Sequence, residues 1–188
     1  MAIYDATHTV KEELEAYFIK NNLGEEGGLN KAWGKIKIGP IYLPIPNPPA
    51  RKKALVFHDI HHIVTGYDVD WKGEFCISAW EVATGCGGYY VAWILDVPAI
   101  GMGLFLYPKS VFKAFIRGKR SLNLYHHTLS REEARAMRIG NLQKHLQLVP
   151  VDENKASSKE IISFLGWSVF SLLLLFVPFL LIYIIFIK

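Results

Sequence analysis

The chain has 188 residues, 51% of them hydrophobic, and a formal net charge of +4. That length suits one domain with an appendage. The charge is small and no dense basic run is interleaved with aromatics, which argues against a nucleic-acid partner. Cys76 and Cys86 are the only cysteines; their spacing is not CxxC, and they read as reduced core thiols.

The N-terminal twenty residues carry Asp5, Glu12, Glu13 and Glu15 and no apolar run, so they read neither as a secretory signal nor as an Arg-rich presequence. Thr9-Val-Lys-Glu12 is a capping box, and Val10, Leu14, Tyr17 and Phe18 repeat at helical spacing, which predicts a helix over about 9–21. Residues 24–49, rich in Gly and then Pro, read as a connecting arm without a long regular element, whose isoleucines pack on something. A second helix follows Pro48-Pro49, runs over about 50–65 and stops at Gly66. Arg51, Lys52 and Lys53 in its first turn oppose the helix dipole and read as a solvated face, with an anion site as the alternative.

Asp70 is placed to cap a third helix on which Glu74, Ser78 and Glu81 form a polar stripe. From Tyr89 to Leu106 an apolar stretch contains only one acid, Asp96, together with Pro98, and reads as a buried or membrane-dipping helix. An amphipathic helix over about 108–118 puts Val111, Phe112, Phe115 and Ile116 against Lys113, Arg117, Lys119 and Arg120. It is either a membrane-surface helix or an ordinary one. Ser130-Arg-Glu-Glu133 opens a further short helix ending at Gly140.

Ile161 to Ile187 contains no Asp, Glu, Lys or Arg. At about 1.5 Å per residue it reaches roughly 40 Å, more than a hydrocarbon core of roughly 30 Å, which predicts one tilted transmembrane helix. Trp167 and Tyr183 lie near its ends, and Pro178 is tolerable within it. The segment before it is rich in Lys and Arg, so the positive-inside rule keeps the domain in the cytoplasm. The expected architecture is all-α: a single helical domain over 1–145, a polar linker over 146–160 and a single-pass C-terminal anchor over 161–187.

The chemistry concentrates in Phe57-His58-Asp59-Ile60-His61-His62. On a helix His58 and His62 point the same way, one turn apart. Two imidazoles on one face form a metal clamp that Asp59 and Glu74 can complete with oxygen ligands. Asp59 diverges from His58 by about 100° around the helix, so it is read as a ligand, an orienter of an imidazole or a proton acceptor. His61 reads as a bystander, and His8, His126, His127 and His145 as structural or surface residues. His58-x-x-His61-His62 also matches one histidine box of membrane di-iron desaturases, but those need about eight histidines and several spans; this chain has seven histidines and one clear span.

His58-Asp59-x-x-His62 followed, after eleven intervening residues, by Glu74 resembles the signature of the coenzyme Q (ubiquinone) biosynthesis protein four family. The resemblance extends to Thr65-Gly66-Tyr67, Gly73-Glu74, Ala79-Trp80-Glu81 and Leu129-Ser-Arg-Glu-Glu-Ala-Arg135, over roughly 5–145. It implies an all-α domain with a divalent metal, zinc first and iron or manganese as alternatives, held by His58, Asp59, His62 and Glu74, with Asp59 and Glu74 as catalytic carboxylates. The implied activity is a lyase step of ubiquinone biosynthesis: removal of the carboxylate from ring carbon one of a polyprenyl-hydroxybenzoate and its replacement by hydroxyl. The alternative is a non-catalytic scaffold that binds prenyl lipid and organises other quinone-biosynthesis enzymes, and a homodimer is compatible with either. Trp80, Tyr89, Tyr90, Trp93, Leu104 and Arg117 are the expected contacts of the polyprenyl lipid. Family members are peripheral on the inner mitochondrial membrane, whereas an anchor without a presequence points to a bacterial inner membrane.

Overall fold

The structure, a computed structural model, describes residues 4–38, 41–126, 128–148 and 155–187. Its first helix, α1 (Val10–Lys20), opens with the expected capping box. The Glu12 amide donates to Thr9 Oγ1 at 3.3 Å and the Thr9 amide to Glu12 Oε2 at 2.8 Å, so two otherwise unpaired donors are satisfied reciprocally. Val10, Leu14, Tyr17 and Phe18 are its buried face.

The arm after α1 is more regular than its prolines suggest. Beyond a 3-10 turn at Glu25–Gly28, strands β1 (Trp33–Ile38) and β2 (Ile41–Pro46) form an antiparallel hairpin, with Trp33 opposite Pro46 and Ile38 opposite Ile41. Lys35-Ile36-Lys37-Ile38 alternates with the two-residue period of a strand. In a two-stranded ribbon each strand is an edge, where Pro44 and Pro46 are tolerated. Gly39 and Pro40 lie outside the described residues.

Helix α2 (Pro49–Thr65) ends where Gly66 takes the left-handed conformation, φ 73°, and returns its amide to the His62 carbonyl at 2.9 Å. Helix α3 (Trp71–Thr84) is capped by Asp70, whose Oδ1 accepts the Gly73 amide at 2.7 Å. Phe75 to Ala83 is apolar nearly all round apart from Ser78 and Glu81, and every residue of it is buried, as befits the central helix of a bundle. Helices α4 (Tyr90–Leu106) and α5 (Pro108–Lys119) pack on either side of it.

Helix α5 buries Val111, Ala114, Phe115 and Ile116, and its principal neighbour is α3. Its apolar side is therefore used inside the protein, as in an ordinary amphipathic helix. The helix opened by the second capping box is two helices, α6 (Arg131–Ala136) and α7 (Ile139–His145). The chain breaks between them because its backbone pairs with the N-terminal segment. Val10 donates to the Met137 carbonyl and Ile139 to the His8 carbonyl, both at 2.9 Å. The folded part also runs past the expected linker boundary at 146, since Leu146 and Leu148 are buried.

Helix α8 (Ser158–Ile187) is the one helix among the described residues long and apolar enough to cross a membrane. It is not a free tail. Its first turns lie on α4 and α5: Phe164 meets Phe112 and Phe115 at 5.0 and 5.3 Å, and Trp167 stacks on Trp93 at 5.3 Å. Ser171 donates to the Val97 carbonyl, and Glu160 pairs with Arg120 at 2.6 Å. The α4–α8 contact is close because Gly101 has no side chain; a Cβ there would stand 2.9 Å from Ser171 Oγ. The fold is thus all-α apart from the hairpin, with an apolar C-terminal helix docked on the domain.

Candidate metal centre

The site lies between α2 and α3. One helical turn separates His58 from His62, and their rings meet edge to face with Nε2 atoms 3.1 Å apart. Asp70 starts α3 at a register that brings Glu74 in from the other side, with Oε2 3.7 Å from His58 Nε2 and Oε1 3.6 Å from His62 Nε2. The edges of this triangle are close to the roughly 3.3 Å expected between nitrogen and oxygen ligands about 2.0–2.1 Å from a tetrahedral ion.

What the far ring nitrogens do makes the fit chemical as well as geometric. His62 Nδ1 lies 2.9 Å from the Tyr67 carbonyl, which accepts only, so Nδ1 carries the proton and Nε2 presents its lone pair to the centre. The Gly66 turn is what brings that carbonyl back over α2. His58 Nδ1 lies 3.1 Å from Glu81 Oε1, which orients its Nε2 the same way. Two lone pairs cannot rest 3.1 Å apart unaided, so a cation or a proton must lie between them. Without an ion the proton belongs on His58. Burial pushes its pKa down, but Glu81 and Glu74 outweigh that and hold it well above the ordinary histidine value.

Glu81, which the sequence places in a polar stripe and in the Ala79-Trp80-Glu81 resemblance without a role at the site, proves central to it; its spacing of seven from Glu74 puts it two turns along the same face of α3. Its side chain is inaccessible to solvent. His61 Nδ1 lies 2.6 Å from Oε1, and the Tyr125 hydroxyl donates to Oε2 at 3.2 Å. Burial raises the Glu81 carboxyl, but His58 and then His61 more than offset this and keep it well below the usual carboxylate range. His61 itself is held in place as Nε2 accepts the Leu124 amide at 3.0 Å. It faces Trp80 and Tyr125 rather than the centre, in keeping with its reading as a non-ligand.

Among the described residues, ligand atoms come within 4.8 Å of one another in two groups, His58/His62/Glu74 and His58/Glu81/Asp96. In the second, His58 and Glu81 already satisfy each other and Ser78 donates to Asp96 at 3.2 Å, so it supports the first group rather than competing with it. Asp59 belongs to neither. It is buried, and its Oδ2 lies toward Gly27 beside Phe18. Burial, helped by Glu74 and opposed by His58 and Arg51, pushes its pKa up to about 7. It is a proton-holding neighbour of the centre, not one of the three converging donors.

The residues expected at a lipid scatter. Trp80 is wholly buried and donates to Ser121 Oγ at 2.9 Å, so it is core. Tyr89 packs on Phe57 and Tyr125, next to the centre. Tyr90 is exposed, Trp93 stacks on Trp167, and Leu104 packs against the core. Arg117 donates to the Thr65 carbonyl at 2.8 Å and covers the Tyr67 ring, closing the end of α2. Of the other histidines, His8 meets Glu13 at 2.7 Å and His126 accepts the Gly87 amide at 3.1 Å; His127 lies outside the described residues. Among the described residues the centre is most open at Glu74, whose side chain is 42% accessible against 18% for His58 and 1% for His62.

Compared with protein-family models, with curated proteins and with solved structures, the chain gives no match.

Proposed function

We propose that this is a membrane-anchored metalloprotein of the coenzyme Q biosynthesis protein four type, acting on a polyprenyl-hydroxybenzoate. The supporting observation is the convergence of His58 Nε2, His62 Nε2 and the Glu74 carboxylate, with the far nitrogens of both imidazoles held by Glu81 and the Tyr67 carbonyl. Mixed nitrogen and oxygen donors suit zinc, iron(II) or manganese. A divalent ion held there would supply Lewis-acid stabilisation of the negative charge that develops as a ring carboxylate leaves as carbon dioxide.

This chain's own residues do the rest. Glu74 forms the accessible wall at which a substrate head group is received. Asp59 is the buried carboxyl next to the centre; burial pushes its pKa up to about 7 in the metal-free protein, and a bound cation would favour its ionised, proton-accepting form. The buried donors behind the histidines keep water from that side. Net replacement of the carboxylate by hydroxyl is a two-electron oxidation: with water supplying the hydroxyl oxygen, dioxygen takes up two electrons and two protons and leaves as hydrogen peroxide, as the carboxylate leaves as carbon dioxide. The apolar α8 supports a centre held beside a bilayer, and its basic flank supports a cytoplasmic face; a bacterial inner membrane is the setting this reading carries.

A second reading has its own support. The donors join α2 and α3, and through Glu81, His61 and Tyr125 reach the segment after α5, as they would in a structural site. The domain is then a prenyl-lipid scaffold for other quinone-biosynthesis enzymes. Metal analysis of the purified full chain, mass spectrometry of its co-purified lipid and a carbon dioxide release assay on a prenylated hydroxybenzoate test both. Metal and lipid with release support the enzyme. Metal and lipid without release support the scaffold, and neither metal nor lipid rejects both.

A further inference from the structure

Helix α4 buries Ala92, Asp96, Val97, Ile100, Gly101 and Gly103 and leaves a second apolar side uncovered. Phe105 is 64% and Leu106 60% exposed, and Met102 and Tyr107 are open too. These residues gather where α4 turns into α5. An uncovered apolar corner in water is unfavourable, so what covers it is a question the fold poses.

The contacts with α8 give the depth of this corner. Arg120 meets Glu160, Phe112 and Phe115 meet Phe164, Trp93 meets Trp167, Gly101 meets Ser171, and Phe105 meets Phe176. Helix α4 thus descends alongside α8 and α5 climbs back. Charge ends on α8 at Glu160, and Trp167 sits where an interfacial aromatic belongs. From Trp167 onward the apolar helix is about 30 Å long, the thickness of a hydrocarbon core. Phe176 lies nine residues farther along, about 14 Å deeper at 1.5 Å per residue. A corner carrying Phe105 against Phe176 is therefore below the level of Trp167.

Charge agrees with this placement. No Asp or Glu occurs from Val97 to Arg131, and Lys119 is exposed at the end of α5 that returns to the level of Glu160, while Lys109, in the first turn after the corner, stays in the interface only by extending its side chain up along α5. Long basic side chains beside an immersed corner reach back to anionic head groups. We infer that the α4–α5 corner, with Met102, Phe105, Leu106 and Tyr107, is a wedge that enters one leaflet of an anionic bilayer next to α8. This rests on α8 crossing that bilayer.

The test uses the full chain in nanodiscs of phosphatidylcholine with one quarter phosphatidylglycerol. Nitroxide labels go on Phe105→Cys, Leu106→Cys, Leu173→Cys of α8 and Ile19→Cys of α1; Cys76 and Cys86 are buried. Collisions with dissolved oxygen and with a hydrophilic nickel chelate are compared. Expected is at least a tenfold lower nickel-to-oxygen ratio at 105, 106 and 173 than at 19. A water-like ratio at 105 and 106 with a lipid-like ratio at 173 overturns the wedge while leaving the span. A water-like ratio at 173 as well overturns the span and the wedge together. Labels at 105 and 106 shielded from both reagents mean that protein, such as a second copy, covers the corner, and also overturn it.

Discussion

His61 and Glu81 are joined by the shortest hydrogen bond of the centre, Nδ1 to Oε1 at 2.6 Å, and the same oxygen receives His58 Nδ1 at 3.1 Å. One buried carboxylate thus orients both a candidate ligand and the histidine that is not one. Replacing it by an amide of the same shape removes the charge that His58 and His61 share. Glu81→Gln is expected to lower zinc affinity by about 10–100-fold, the usual effect of losing an outer partner of a metal ligand. Competition against a fluorescent chelator measures it, and unchanged affinity would mean that Glu81 does not orient His58.

His58→Ala, His62→Ala and Glu74→Ala each remove a converging donor and should each abolish stoichiometric metal, read by elemental analysis on folded protein. Asp59→Asn separates the geometry from the sequence expectation. With Asp59 outside the three-donor group, the variant should keep its metal within about tenfold. Loss of metal equal to that in His62→Ala would make Asp59 a ligand after all.

Asp59 also gives a pH dependence. Its pKa in the folded protein is about 7, against an ordinary value near 3.8. Between the two the folded state binds the extra proton, so its contribution is fully present below about pH 4 and is lost as pH rises toward 7. Asp59 should therefore withdraw up to about 4 kcal/mol from metal-stripped protein over that window, against an opposite contribution from His61 and His62, whose pKa values burial lowers, so its share is read as the difference from Asp59→Asn. In Asp59→Asn the slope over that window should flatten and stability at pH 8 should rise. Denaturation of both proteins across the range checks this, and parallel profiles would rule the effect out.

Gly101→Leu should loosen α8 from α4. Its side chain would enter the space of Ser171, and overpacking of this kind costs about 1–3 kcal/mol. Gly88→Ala is the control, because a Cβ there meets nothing within 4 Å. Thermal denaturation in nanodiscs should lower the transition of the first variant and leave the second near wild type. Equal behaviour would mean that the α4–α8 contact adds no stability.

Arg117→Ala should behave as a structural lesion. Its guanidinium bonds the Thr65 carbonyl at the end of α2, and hydrogen bonds to charged groups contribute about 1.5–3 kcal/mol. A loss of stability with co-purified lipid retained is the expected outcome. The reverse pattern would return Arg117 to the lipid site.

Local signals were readable where one stretch decided the matter. Thr9 with Glu12, Asp70 before α3, and Pro49 with Gly66 around α2 each delimit a helix through caps formed by near neighbours. The His58/His62 clamp followed from helical spacing alone. What escaped depended on partners distant in the chain. The hairpin was hidden by Pro44 and Pro46, although Lys35 to Ile38 alternates as a strand does. The break between α6 and α7 exists because Arg138 pairs with Thr9, which no local pattern announces. Glu81 looked like one more polar residue until α2 was laid against α3. Asp59 stood within the motif, yet its direction around α2 took it toward Gly27.

The ion pair of Arg120 with Glu160 joins the last residue before the 121–126 segment to the first turn of α8. Together with the Trp93–Trp167 stack it attaches α8 to the domain at two points, which opposes swivelling of the domain on this helix. Under the proposed function, with α8 crossing a bilayer, a prenylated substrate would meet the site by lateral diffusion in two dimensions, so its surface density rather than its bulk concentration would set the encounter rate.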